Sequence, residues 1–149
     1  MKIIENKSGL QYLDFIKCNE VQMKKYEPLS GSFAVIICGE HILLCYNKWR
    51  NQWEIPAGRR EEGETPKQCA IRELFEETGQ EVNDLSFKGL LKVKNKYSGE
   101  VKYNPVYYSK VNKLQPFIDN DETSEIMLWD CKEDIGYIDL VDIQILAFI

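Results

Sequence analysis

Positive charge is in short supply in this chain. Its 149 residues carry 19 Lys and Arg against 24 Asp and Glu, a formal net charge of -5. Duplex nucleic acid and anionic membrane both select a basic face, so neither is expected as a main partner. A polyanionic small molecule stays open, because a bound divalent cation changes the local field. Histidine is nearly absent: His41 is the single one. The five cysteines, Cys18, Cys38, Cys45, Cys69 and Cys131, are odd in number and form no CxxC pair. A disulfide framework or a zinc site is therefore not expected, and a reducing, cytoplasmic setting fits. All five thiols are expected to be buried and structural. With no histidine near Cys69 in sequence, a catalytic thiol is not expected either. No apolar run approaches the ~20 residues needed to cross a bilayer. The first twenty residues, interrupted by Glu5, Lys7, Asp14 and Lys17, do not read as a secretory signal. Internal repeats, low-complexity tracts and charged tails are absent.

What is present suits one globular domain over 1–149. The hydrophobic fraction is 44% and the charged fraction 29%, and folding at this length buries roughly two-thirds of the unfolded surface. Phe33 to Cys38 and Ile42 to Tyr46 are continuous apolar runs around Gly39-Glu40-His41. They predict a hairpin whose strands are covered on both faces, with His41 solvated at the turn. Further strands are predicted over Phe87–Val93, Tyr103–Val111 and Glu125–Asp130, with a turn at Ser98-Gly99. Pro105 predicts an edge or a bulge in the second of these. A helix is predicted over Asp139–Phe148. Within the first thirty residues, Tyr12–Ile16 is a candidate strand and Asn19–Tyr26 a short helix or loop.

The strongest local signal lies in the middle of the chain. Thr65-Pro66-Lys67-Gln68 offers an N-cap, a first-turn proline and a capping box, and Gly79 is a natural stop. A helix is predicted over Pro66–Thr78, with Ala70, Ile71, Leu74, Phe75 and Thr78 as its apolar face. The other side carries Glu73, Glu76 and Glu77 at spacings of three and four. Each like-charge pair costs about 0.2–0.5 kcal/mol, and the helix dipole opposes negative charge in a C-terminal half. Folding alone does not select that arrangement. A hard cation does, because Mg²⁺ takes carboxylate and phosphate oxygens. Arg72, at i,i+4 to Glu76, offers partial relief as part of a solvated acidic face.

Gly58, Glu64, Arg72, Glu73, Leu74, Glu76, Glu77 and Gly79 stand at the spacing G-x5-E-x7-R-E-L-x-E-E-x-G. This resembles the Nudix box, a loop–helix–loop signature of hydrolases acting on nucleoside-diphosphate-linked compounds. It spans residues 58–80, and seven fixed residue types make it a specific motif. Gln80 departs from it, because the family has an aliphatic residue there, and looser local packing is expected. Trp53-Glu54-Ile55-Pro56-Ala57-Gly58 is similar to the strand end leading into the box, and Glu125–Trp129 to a late family strand. The resemblance covers about Ser32 to Asp130, leaving residues 1–30 as an extension of uncertain structure.

The resemblance implies an α/β fold, an α/β/α sandwich with a mixed central sheet. It implies Mg²⁺, with Mn²⁺ as a substitute, held by Glu73, Glu76, Glu77 and the carbonyl of Ala57. Arg72 would hold the box together by ion pairing, and Glu64 would support the loop. The reaction would be attack of an activated water on a diphosphate, with Glu76, Glu122 or Glu125 as the base. Trp49, Trp53, Tyr97, Tyr103, Tyr107 and Tyr108 are candidate platforms for a base, at least half of them expected to be core instead. Arg50, Arg59 and Arg60 are candidates to meet phosphates. ADP-ribose hydrolases of the family often carry a proline about sixteen residues after the box glycine; Asn95 stands there. Tyr97 weakly matches a tyrosine of dinucleoside-polyphosphate hydrolases. The expected partner is thus a small nucleotide, with (deoxy)nucleoside triphosphates, oxidised ones included, placed first. ADP-ribose, nucleotide sugars and dinucleoside polyphosphates follow, and a non-catalytic nucleotide-sensing domain is the remaining alternative. Many relatives are homodimers, and the N-terminal segment is a candidate interface.

Overall fold

The apolar runs that predict the central hairpin form β2 (Ser32–Cys38) and β3 (His41–Asn47). Side chains alternate across a strand, so a run that is apolar throughout must be covered twice. Ala34, Ile36 and Leu43 point into one hydrophobic cluster, together with Ala70 and Leu74. Val35, Ile42 and Leu44 point into the other, together with Val141 and Ile145. His41 pairs with Cys38 as the first residue of β3 rather than lying in the turn, and it is exposed.

The computed structural model describes residues 2–149. After β1 (Leu10–Ile16) and the hairpin come β4 (Gln52–Glu54), β5 (Ala57–Gly58) and α1 (Pro66–Thr78). β6 (Ser86–Asn95), β7 (Val101–Val111), β8 (Thr123–Trp129) and α2 (Asp142–Ile145) complete the order. Eight strands form one sheet in the order β1-β6-β7-β2-β3-β4, with β5 on β2 and β8 on β3. The β2–β7 pair is parallel and the others antiparallel, so the sheet is mixed. α1 packs against one face, and the C-terminal segment with α2 against the other. This is the expected α/β/α sandwich. No helix among the described residues is long and apolar enough to cross a membrane.

Several expectations need correction. β7 is internal, between β6 and β2, so Pro105 does not mark an edge. The β2 ladder begins one residue later, at Val106, and the register shift lies in β6 between Phe87 and Gly89. The C-terminal helix starts later than predicted. Asp139 Oδ1 accepts the N–H groups of Val141 and Asp142 at 2.9 and 3.0 Å, acting as a cap. Only four α-helical residues and a 3-10 turn over Leu146–Phe148 follow. Cys45 and Cys69 are buried, but Cys18 and Cys38 are half-buried and Cys131 is exposed. β1 extends the sheet beyond β6 and puts Phe15 into the core, stacked on Phe148. The N-terminal residues therefore belong to the fold.

Candidate active site

The box helix starts and stops where its sequence dictates. Thr65 Oγ1 accepts the Gln68 N–H at 3.1 Å, and the Gln68 side chain returns the bond to Thr65 N–H at 2.9 Å. Gly79 ends the helix with φ at 81°, a left-handed conformation that suits glycine. The burial of the helix faces differs from the amphipathic reading in one respect. Phe75 is exposed, while Cys69, Ala70, Leu74, Glu77 and Thr78 are buried. Glu77, 3% exposed, points into the protein under β5.

That burial is satisfied only in part. The Ala57 N–H donates to Glu77 Oε1 at 2.9 Å, and the Cys45 thiol lies 3.9 Å from Oε2. Burial, and then the charges of Glu122 and Glu73, push the Glu77 carboxyl well above the usual carboxylate range. Glu73 is raised for the same first reason, opposed by Arg72 and reinforced by Glu76 and Glu122. Gly58 lies directly against the Glu73 carboxylate, where a Cβ would collide with it.

Arg72 ties the loop to the helix. Its Nε and Nη2 reach the two Glu64 oxygens at 2.7 and 3.0 Å, a bidentate pair. Nη1 donates to Glu73 at 2.8 Å and Glu76 at 3.0 Å, and Nη2 also reaches the Arg59 carbonyl at 2.7 Å. The guanidinium draws the Glu64 carboxyl below its usual range. Gln80 does not loosen its surroundings. It is 1% exposed, donates to the Gln115 carbonyl at 2.8 Å and accepts the Gln115 N–H at 2.7 Å. A buried amide with both ends bonded thus stands in for an aliphatic residue.

Among the described residues, no group of three or more His, Cys, Asp or Glu is close enough to hold a metal ion as the side chains stand. The donor chemistry nevertheless fits a hard cation. Glu77 is a buried oxygen donor with few hydrogen-bond partners, and half-buried Glu73, held by Arg72, repels it, a condition a divalent ion relieves. Glu76 is exposed and held by Arg72.

A cavity of about 250 Å³ opens beside β5. Ala57, Gly58 and Arg59 line it on the box side, with Arg50, Glu54, Asn104, Asp139 and Asp142 around it. Arg50 is committed to Glu54, at 2.8 and 3.2 Å. Arg59 makes no side-chain hydrogen bond or ion pair with the described residues. Asp142 accepts the Ile55 N–H through Oδ2 at 2.9 Å. Burial, then Asp139 and Glu54, raise its carboxyl well above the usual range. Asn6 donates to Asp139 at 3.1 Å across 133 residues of sequence. Glu54, Asp139, Asp142, Asn6 and Asn104 are not among the sequence candidates. Their one signal is the carboxylate pair at positions 139 and 142, which reads equally as a helix cap.

The other candidates are scattered. Glu122 accepts from Asn47 at 3.1 Å and faces Glu77 and Glu73 by charge. Glu125 is exposed on β8 and makes no side-chain bond with the described residues. Trp49 is 66% exposed in the β3–β4 turn. Trp53 lies in the core, edge-on to Tyr46, with its indole N–H on the Ile135 carbonyl at 3.1 Å. It presents no face to a base. Tyr97 is 77% exposed at the β6–β7 turn and lines neither this cavity nor the one beside Arg60. Tyr107 is buried and donates to Glu20 at 3.0 Å. Tyr108 is half-buried beneath Lys88.

Comparison with known proteins agrees with this fold. The model of the NUDIX domain matches residues 28–145. The chain is 39% identical over 62 residues to an RNA pyrophosphohydrolase of Actinobacillus succinogenes, covering 40% of this chain and 30% of that protein. It is 35% identical over 107 residues to the putative 8-oxo-dGTP diphosphatase YtkD of Bacillus subtilis, covering 69% and 66%. Among solved structures, a mutant of the Bacillus subtilis pyrophosphohydrolase BsRppH superposes with a TM-score of 0.71 at 21% identity, covering 95% of this chain and 87% of that one. The chain spans about a third of the length of the first curated relatives it matches.

Proposed function

The chain belongs to the Nudix hydrolases, which act on phosphorus-containing anhydrides, and from that premise we propose that it cleaves a diphosphate bond of a nucleoside 5′-triphosphate, oxidised (deoxy)nucleoside triphosphates included. The observation that carries this is the pair of buried Glu77 and half-buried Glu73 against the Ala57–Gly58 turn, whose other neighbour is the cavity that the turn lines. Similarity to the putative 8-oxo-dGTP diphosphatase supports a free nucleotide. Similarity to RNA pyrophosphohydrolases supports a second reading, the same 5′-triphosphate at the end of an RNA chain.

Glu73, Glu77 and Glu76, with the Ala57 carbonyl, are the residues that would hold Mg²⁺ or Mn²⁺. When bound, such an ion neutralises phosphate charge and acidifies water. Arg72 keeps Glu73 and Glu76 in place, and Arg59 is free to meet a phosphate oxygen. Water adds across the P–O–P bond, two phosphate products separate, and a carboxylate takes the proton. Glu122 is the favoured base over Glu76 and Glu125. It faces Glu77 and Glu73, is steadied by Asn47 and more loosely by Arg50 at 3.6 Å, and is not held by Arg72.

The test is a hydrolysis panel run with Mg²⁺ and with EDTA. It covers dNTPs, 8-oxo-dGTP, ADP-ribose, nucleotide sugars, dinucleoside polyphosphates and 5′-triphosphorylated RNA. Metal-dependent cleavage of a triphosphate at the highest kcat/KM is the expected result. A clear preference for ADP-ribose, or no turnover by folded protein, overturns the reading.

A further inference from the structure

A second cavity, of about 420 Å³, is lined by Arg60 of the box loop and by residues 24 and 26–29. We propose that it receives the single-stranded RNA that follows a 5′-triphosphate, with a base stacked beside Tyr26 and the backbone met by Lys24 and Arg60. This rests on the second reading above, a triphosphate at an RNA end.

The cavity is continuous in sequence with the site. Leu29 and Arg60 line it, and their neighbours Ser30, Gly31, Gly58 and Arg59 line the cavity beside β5. Arg59 and Arg60, adjacent in the box loop, thus line one cavity each, and a chain whose triphosphate is held at the box would pass from the first to the second. The chemistry along that route changes from carboxylates to cations and aromatics. Single-stranded nucleic acid is held by such a combination: positive charge follows the backbone, and rings stack on bases whatever their identity. Neither Lys24 nor Arg60 makes a side-chain hydrogen bond or ion pair with the described residues. The lining thus carries two cations against one carboxylate, Glu27. Tyr26 packs on Tyr103 at 5.3 Å between centroids, and Lys92 lies 5.9 Å over the Tyr103 ring.

The surface is also held in place. Buried Met23 anchors the 3-10 turn Gln22–Lys25 that carries Lys24. The next segment is stitched to β7, with Tyr103 N–H on the Pro28 carbonyl at 3.1 Å and Ser30 N–H on the Tyr103 carbonyl at 2.7 Å. Binding here orders little that is not already ordered.

The experiment compares Mg²⁺-dependent hydrolysis of a free nucleoside triphosphate and of a triphosphorylated RNA of about ten nucleotides, a length within single-strand site sizes. Wild type, Tyr26→Ala, Tyr26→Phe and Lys24→Glu are assayed on both. Tyr26→Ala is expected to lower kcat/KM on RNA about tenfold or more, through KM, and to leave the free triphosphate unchanged; Tyr26→Phe keeps the wild-type rate. Lys24→Glu is expected to weaken RNA turnover and to flatten its log–log salt dependence by about 0.7 or more. Unchanged RNA turnover in Tyr26→Ala and Lys24→Glu, or equal losses on both substrates, overturns the proposal. If wild type hydrolyses no triphosphate, the functional reading has failed separately. Fluorescence anisotropy with a 5′-hydroxyl RNA of the same length then decides: binding weakened by both substitutions upholds the cavity, and no binding by wild type overturns it.

Discussion

Gly58 and the carboxylate of Glu73 are packed so closely that no side chain fits at position 58. The Gly58 carbonyl is also engaged, accepting from the Cys69 thiol at 3.3 Å and lying against Gly31. Loop and helix thus meet through backbone on one side and an acid on the other. Gly58→Ala must displace Glu73 or open the β5 turn. We predict a loss of kcat/KM of about 10²-fold, the scale of a displacement near 1 Å in a catalytic constellation, with a lower Tm. Near-wild-type turnover in this variant would remove Glu73 from the site.

Arg72 spends its fork in five hydrogen bonds to four acceptor groups, of which Glu64 takes two parallel bonds. Lysine offers a point charge and cannot reproduce that fork. Arg72→Lys is predicted to cost about 1–3 kcal/mol, a fall in Tm of roughly 2–4 °C per kcal/mol at this size. It should also weaken Mg²⁺ activation, because Glu73 and Glu76 lose their restraint. Thermal melts and Mg²⁺ titrations of activity check both. An unaltered Mg²⁺ dependence would mean that Arg72 serves the loop alone.

Glu77 separates function from stability. Its charge is buried against Glu122 and Glu73, while the Ala57 N–H needs only an acceptor, which glutamine supplies. Glu77→Gln is predicted to abolish turnover while leaving Tm in EDTA equal to or above that of wild type. Glu73→Gln should likewise abolish turnover and keep the fold. Mg²⁺ at about a hundredfold its Kd adds roughly 2.7 kcal/mol to a folded state that binds it. Wild type should therefore melt several degrees higher in Mg²⁺, and Glu77→Gln should not. Near-normal rates in both glutamine variants would overturn the metal-site assignment.

The sequence made the site's local half legible. Thr65, Pro66, Gln68 and Gly79 act within a turn or two of their own positions, so the box helix could be bounded from them alone. The continuous runs of β2 and β3 reported a sheet covered on both faces. Long-range partners were invisible. Nothing near Glu77 says that its side of α1 faces inward, or that Phe75 is left outside. Asn6, Glu54, Asp139 and Asp142 meet only because the segment before β1, β4 and the C-terminal segment converge on one cavity wall. Trp53 was readable as a ring and unreadable as core, since its burial depends on Tyr46 and the Ile135 carbonyl.

Asp142 makes the stability of the metal-free protein depend on pH. Its carboxyl is raised well above the usual range by burial first, then by Asp139 and Glu54, against one favourable bond from the Ile55 N–H. The folded state therefore holds a proton that the unfolded chain gives up near pH 4. By linkage, the stability from protonated Asp142 is fully present below that value and is lost as pH rises through the folded-state pKa. Asp139 is shifted in the same direction. Wild type in EDTA should thus melt at a higher temperature at pH 5 than at pH 8. Asp142→Asn keeps an oxygen for Ile55 and removes the buried charge. It is predicted to raise Tm at pH 8 by a few degrees, at roughly 2–4 °C per kcal/mol, and to change it less at pH 5. Melts of both proteins in EDTA across this range check it. A Tm gain that is the same at both pH values would show that Asp142 does not titrate with folding, and a loss at pH 8 would show that its negative charge is needed there.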